Sequence, residues 1–97
     1  MPDVQWPLGF EDWSDLLAHS PQDPMLRARL AAELIRAGHF DDAERELTTC
    51  LEIAPIHARP RLLIVVLRQR VKMAARRSAL VQADLEELHN SVRTQKE

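Results

Sequence analysis

The sequence predicts an all-α protein, an antiparallel helix-turn-helix array of four to five helices. Three observations carry this expectation. Apolar residues recur at intervals of three and four along most of the chain. Pro and Gly break those stripes into helix-sized pieces. The residues that β folds lean on are scarce, with 2 Gly and 0 Tyr. The chain has 97 residues, 45% hydrophobic and 29% charged. That is the balance of an ordinary globule, and it is too short for two cores. Residues 1–97 therefore read as a single domain.

The first stretch, 1–22, holds an irregular start and then a short helix from about Phe10 to His19. Glu11 and Asp12 sit in its first turn, where the helix dipole favours acids. Trp6, Phe10, Trp13 and Leu17 fall at helical spacing and predict an apolar face that closes one end of the core, or a partner-docking segment. Ser20–Pro24 is a break followed by a start. Asp23 can cap with its side-chain oxygen, and Pro24 suits the first helical position because its missing N–H has no partner there. This helix runs to about Ala37 on a stripe of Leu26, Leu30, Leu34 and Ala37, and Gly38 supplies a left-handed end. Asp41-Asp42-Ala43-Glu44 has the form of a capping box with Asp in place of Ser or Thr. The next helix shows Ala43, Leu47, Cys50 and Leu51 on one face and stops near Ala54-Pro55.

Pro60 allows another helix start, and no Gly or Pro follows it. Ile64, Leu67, Val71, Ala74, Ser78, Val81, Leu85, Leu88 and Val92 then alternate at three and four. This heptad stripe fits one long helix able to pair as a coiled coil. A bend near Lys72–Ser78 would instead give two antiparallel helices. Ala74 and Ser78 are weak stripe positions at the point where a bend would fall, and a lone long helix would leave apolar surface in water. The helical hairpin is the preferred expectation over 58–92.

Charge is segregated. Residues 1–52 carry 11 acids and 4 bases, residues 53–83 carry no acid and 7 bases, and residues 84–97 carry 4 acids and 2 bases. A net charge of −2 hides an acidic half facing a basic block, Arg59 to Arg77. Of the 13 bases 11 are Arg, which fits a GC-rich coding sequence and weakly favours a bacterial source.

The segment Arg27-x2-Leu30-Ala31-x2-Leu34…Ala43-x3-Leu47…Pro55 resembles the tetratricopeptide repeat, W-x2-L-G-x2-Y…A-x3-F…P, in every interval. Gly38 and Phe40 stand where that family has its turn glycine and turn aromatic, and Cys50 fills a small-residue position. Arg27, Ala31, Leu34 and Leu47 depart from the family's Trp, Gly, Tyr and Phe. The resemblance covers 24–57. A second repeat at 58–91 is degenerate, since strict register puts Arg77 and Asp84 where small residues belong. The resemblance implies stacked helix pairs and a concave face built from the first helix of each pair. The matching positions are Met25, Ala28, Ala32 and Arg36, then Arg59, Leu62, Val66 and Arg70. On that face small residues make room for a peptide, and Arg36 and Arg70 pair with its carboxylates.

The chemistry of catalysis is missing. His19, His39, His57 and His89 have no paired metal-ligand spacing. Cys50 lies in an apolar stripe and reads as a small core filler rather than a nucleophile. Two glycines cannot build a phosphate loop, and no nucleophile-elbow glycines flank a serine. No catalytic residue, metal or other cofactor is expected. No stretch is long and apolar enough for a membrane, since Leu62–Leu67 is as long as any run without a charge or proline. Asp3 precedes any base, without an apolar run after it, so no signal peptide is expected. A single cysteine fits a reducing compartment, hence a cytoplasmic setting. The functional expectation is a non-catalytic protein-interaction module, an adaptor or chaperone-like subunit, holding a protein or an acidic peptide in a helical groove. The alternative is a homodimeric structural protein built on a C-terminal coiled coil. Nucleic-acid binding through the 59–77 block is the weaker alternative, because that block contains no aromatic for base stacking.

Overall fold

A computed structural model describes residues 11–95, with side-chain surroundings for 13–94. Four helices follow in order: α1 (Glu11–His19), α2 (Pro24–Arg36), α3 (Phe40–Ile53) and α4 (Arg59–Gln95). The described residues contain no strand. Trp6 and Phe10 of the expected aromatic stretch lie outside them. Trp13 packs half-buried against the core, and Leu17 is buried in it.

The punctuation between α1 and α3 is local chemistry. The Asp23 carboxylate accepts the amides of Met25 at 3.1 Å and Leu26 at 3.3 Å, two groups a helix start would otherwise leave unbonded. Pro24 stands in the first turn behind that cap. At the other end of α2, Gly38 takes φ +84. Its amide donates to the Ile35 carbonyl at 3.1 Å, and the His39 amide donates to the Leu34 carbonyl at 2.9 Å. Those two bonds make a Schellman motif, which needs a left-handed residue at Gly38. The chain reverses there, and α3 lies back along α2. The capping-box expectation for Asp41 is corrected. Helix α3 begins two residues earlier than that cap implies, at Phe40, and its cap position is His39, without a side-chain cap bond. Asp41 and Asp42 sit inside the first turn, where they complement the dipole.

The core is the seam where α2 and α3 meet and α4 lies across them. Leu30, Ala31 and Leu34 of α2, Ala43, Leu47 and Cys50 of α3, and Val66 of α4 are fully buried. Leu62 and Met73 extend the seam along α4. These residues recur every three to four along each helix, so each helix contributes one stripe.

The expected hairpin over 58–92 is overturned. Helix α4 is continuous for 37 residues, about 55 Å at 1.5 Å per residue. The proposed bend falls on Lys72-Met73-Ala74-Ala75-Arg76-Arg77-Ser78, which is made almost wholly of strong helix formers. Two bases opening a new helix would oppose its dipole, and inside a continuous helix they meet no such cost. Beyond Met73 the described residues of α4 are all exposed, so its second half projects from the body as an arm. The molecule measures 61 × 30 × 16 Å with a radius of gyration of 17.4 Å, against about 13 Å for a compact chain of 100 residues.

Candidate interaction surfaces

Two surfaces follow from this architecture: the groove between α2 and α4, and the outer face of α4. The groove comes first because it contains residues that the repeat resemblance selects. Ala32 and Arg36 of α2 and Lys72 and Arg76 of α4 line a concavity of about 310 Å³. Arg36 is exposed and pairs with Glu33 one turn back. Arg76 Nη1 donates to the Arg36 carbonyl at 3.4 Å, tying α4 to the end of α2.

The other six selected positions are placed differently. Ala28, Leu62 and Val66 are buried in the core. Met25 is half-buried and packs against it. Arg59 Nη1 donates to the Leu51 carbonyl at 2.8 Å, satisfying an acceptor in the last turn of α3. Arg70 is held by Glu44: Nε donates to both carboxylate oxygens at 3.0 and 3.2 Å, and Nη2 to Oε1 at 2.7 Å. The eight residues therefore do not share one open face.

The segregated charge is partly spent within the chain. Arg70–Glu44 joins α4 to α3, and Arg77 joins it again through Asp41 at 3.4 Å. The Arg77 guanidinium also lies 5.1 Å from the Phe40 ring centroid, within cation–π range. Arg27, which stands where the repeat pattern has Trp, reaches Glu46 of α3 at 2.9 Å. Among the described residues Arg61, Arg68 and Lys72 have no ion pair.

The second surface is apolar. Ile64, Leu67, Val71, Val81, Leu85, Leu88 and Val92 are between 45% and 69% exposed, all on the heptad stripe. One helix turns about 100° per residue, so Ile64, Leu67 and Val71 lie opposite Leu62, Val66 and Met73. The stripe thus looks away from the body, and at its centre Ala74 and Ser78 flatten it. Single chains rarely leave so long a line of large aliphatic side chains exposed.

The reactive groups give no such signal. Cys50 is buried, and desolvation, with the Asp23 charge adding to it, holds its thiol above the ordinary value. The thiolate that a nucleophile needs is disfavoured there. Among the described residues no group of three or more His, Cys, Asp or Glu could hold a metal ion. No helix among them is long and apolar enough to cross a membrane. No family model, no curated protein and no solved structure matches this chain.

Proposed function

We propose that the chain is a non-catalytic protein-interaction module whose binding element is the outward face of α4. The observation that supports it is the heptad stripe itself. Seven large aliphatic residues stand in water along about 42 Å of one helix. Leaving that surface bare costs solubility and stability, and a second helix laid in the stripe relieves both. The body formed by α1–α3 and the first half of α4 holds the arm at a fixed angle. Counting 24–57 as a tetratricopeptide-like unit draws support from the burial of Leu30, Ala31, Leu34, Ala43 and Leu47. An unrelated helical hairpin would bury the same stripe, so the binding role rests on α4 and not on the repeat.

The test is a photo-crosslinking amino acid at position 85, on the stripe, against the same residue at position 83, on the opposite side of α4. Expressed in the cells the chain comes from, position 85 is expected to give protein adducts and position 83 none. Absence of adducts at 85, or equal yields at both positions, overturns the proposal.

The α2–α4 groove supports a second reading, that of an acidic-peptide site. Arg36, Lys72 and Arg76 converge on it beside the small Ala32. Titration with a Glu-rich peptide would show binding that Arg36→Ala with Arg76→Ala abolishes. Equal binding by the wild type and that variant rejects it.

A further inference from the structure

We infer that the occupant of the α4 stripe is a second copy of this chain, lying antiparallel. Ile64 would meet the partner's Leu88, Leu67 the partner's Leu85, Val71 the partner's Val81, and Ala74 the partner's Ser78. The inference rests on the reading of α4 as a binding face and names what that face binds.

Geometry permits the pairing. Along the first half of α4, where α2 and α3 pack, the stripe and the core-facing residues occupy opposite sides, so a second helix reaches the stripe there without displacing α2 or α3. In an antiparallel coiled coil the two classes of seam position face one another, which gives the four pairs above and their symmetry mates. Large aliphatic residues then meet large ones. The two small positions, Ala74 and Ser78, meet each other beside the two-fold axis. Every stripe residue from Ile64 to Leu88 is used, and the patch is self-complementary, as a two-fold dimer requires. Six half-exposed aliphatic side chains on each of two copies, at roughly 90 Å² apiece, remove on the order of 1,100 Å² of surface, just above the roughly 1,000 Å² that a specific interface needs.

Charge fixes the direction. The first half of α4 carries Arg59, Arg61, Arg68, Arg70, Lys72, Arg76 and Arg77 and no acid, and the second half carries Asp84, Glu86 and Glu87 with one base, Arg93. A parallel pair would lay bases on bases. An antiparallel pair lays the basic half of one helix on the acidic half of the other. On one flank of the seam Arg70, already bonded to Glu44, lies within two residues' rise of the partner's Asp84. On the other flank, Arg68 stands within two residues' rise, about 3 Å, of the level of the partner's Glu86, which lies further round the partner helix. A partner of another sequence would have to reproduce both the spacing of large and small residues and this reversal of sign.

Single-cysteine variants test direction and occupant together. Val71→Cys and Val81→Cys replace exposed residues, and native Cys50 is buried and stays out of the reaction. Sedimentation at tens of micromolar is expected to give a dimer for the wild-type chain. Under oxidation each variant alone is expected to stay uncrosslinked, whereas an equimolar mixture forms a disulfide-linked dimer. Self-linking of either variant would mean parallel pairing and would overturn the proposal. Arg68→Glu is expected to weaken the dimer at least about tenfold, and Glu86→Arg in the same chain to restore it. A dimer indifferent to both substitutions overturns the antiparallel alignment. A wild-type monomer at hundreds of micromolar overturns self-pairing outright. If position 85 then still captures a different protein, the binding face survives and its occupant is another chain. If it captures nothing, both readings fall together.

Discussion

The body and the arm of this molecule are made from similar residues and obey different rules. In the body, Leu30, Leu34 and Leu47 are fully buried and find their neighbours within one chain. In the arm, Leu85 and Leu88 are 54% and 61% exposed, and no other helix among the described residues covers them. The chemistry of a leucine is the same in both places. What differs is whether a second helix lies within reach, and only α2 and α3 fold back on each other. An apolar stripe is therefore a statement about need, and the fold decides whether the chain itself meets it.

The largest test of this contrast is to truncate one leucine on each side. Leu47→Ala removes a fully buried side chain from the seam, at a cost of about 2–5 kcal/mol. Against a total stability on the order of 5–15 kcal/mol for a chain this size, that lowers the melting temperature steeply. Leu85→Ala in dilute solution is expected to move the same melting curve by less than about 0.5 kcal/mol. Thermal circular dichroism of both variants decides it. Equal losses would mean that the arm belongs to the folded core.

The second test concerns a polar contact inside the body. Arg27 and Glu46 pair at 2.9 Å with side chains only 19% and 10% exposed, and Arg27 Nε has no partner. Arg27→Ala leaves the Glu46 carboxylate poorly solvated and uncompensated, and about 2–4 kcal/mol of stability should be lost. Arg27→Met with Glu46→Leu should recover most of it, because the pair itself is costly to bury. Urea denaturation of the three chains measures this, and a double variant no better than the single would refute it.

Smaller again is the turn that makes the body possible. A Cβ at Gly38 would meet nothing within 4 Å, so space is no obstacle. The obstacle is φ +84, and Gly38→Ala should cost about 1 kcal/mol through backbone strain alone. A neutral result in urea denaturation would show that the turn relaxes to another form.

The same contrast explains what was legible in the sequence. The hairpin of α2 and α3 was readable because its signals are local: Asp23 and Pro24 at one end, Gly38 at the turn, Pro55 after the close. Leu30, Leu34, Ala43, Leu47 and Cys50 were recognisable as core because their stripes face each other across a short turn. The length of α4 was not readable with the same ease. The heptad stripe was visible, but a stripe reads the same whether it faces its own chain or another. The small residues at Ala74 and Ser78 argued for a bend, whereas the high helix propensity of their neighbours carried the helix through. Three of the selected positions, Ala28, Leu62 and Val66, are in the core for a related reason. Leu62 and Val66 are buried because α4 turns that face to α2 and α3, and about 100° of rotation would have buried another set. That rotation is fixed partly by Arg70 and Arg77 finding Glu44 and Asp41, a long-range match that no local signal announces.

Those two contacts give the finest test of where body ends and arm begins. Arg70 and Glu44 form three hydrogen bonds, with side chains 35% and 42% exposed. Water screens such a pair, so a double-mutant cycle on Arg70→Ala and Glu44→Ala should return at most about 1 kcal/mol. Arg77 and Asp41 stand two turns further out at 3.4 Å, and the Asp41 side chain is 99% exposed. The cycle on that pair should return no measurable coupling. Raising salt to 1 M should shrink the first coupling as the screening length falls to about 3 Å, and leave the second at zero. Coupling would then vanish between Arg70 and Arg77, just where Met73 makes the last buried contact of α4. A strong coupling at Arg77 would carry the body one turn further and shorten the arm that is free to bind.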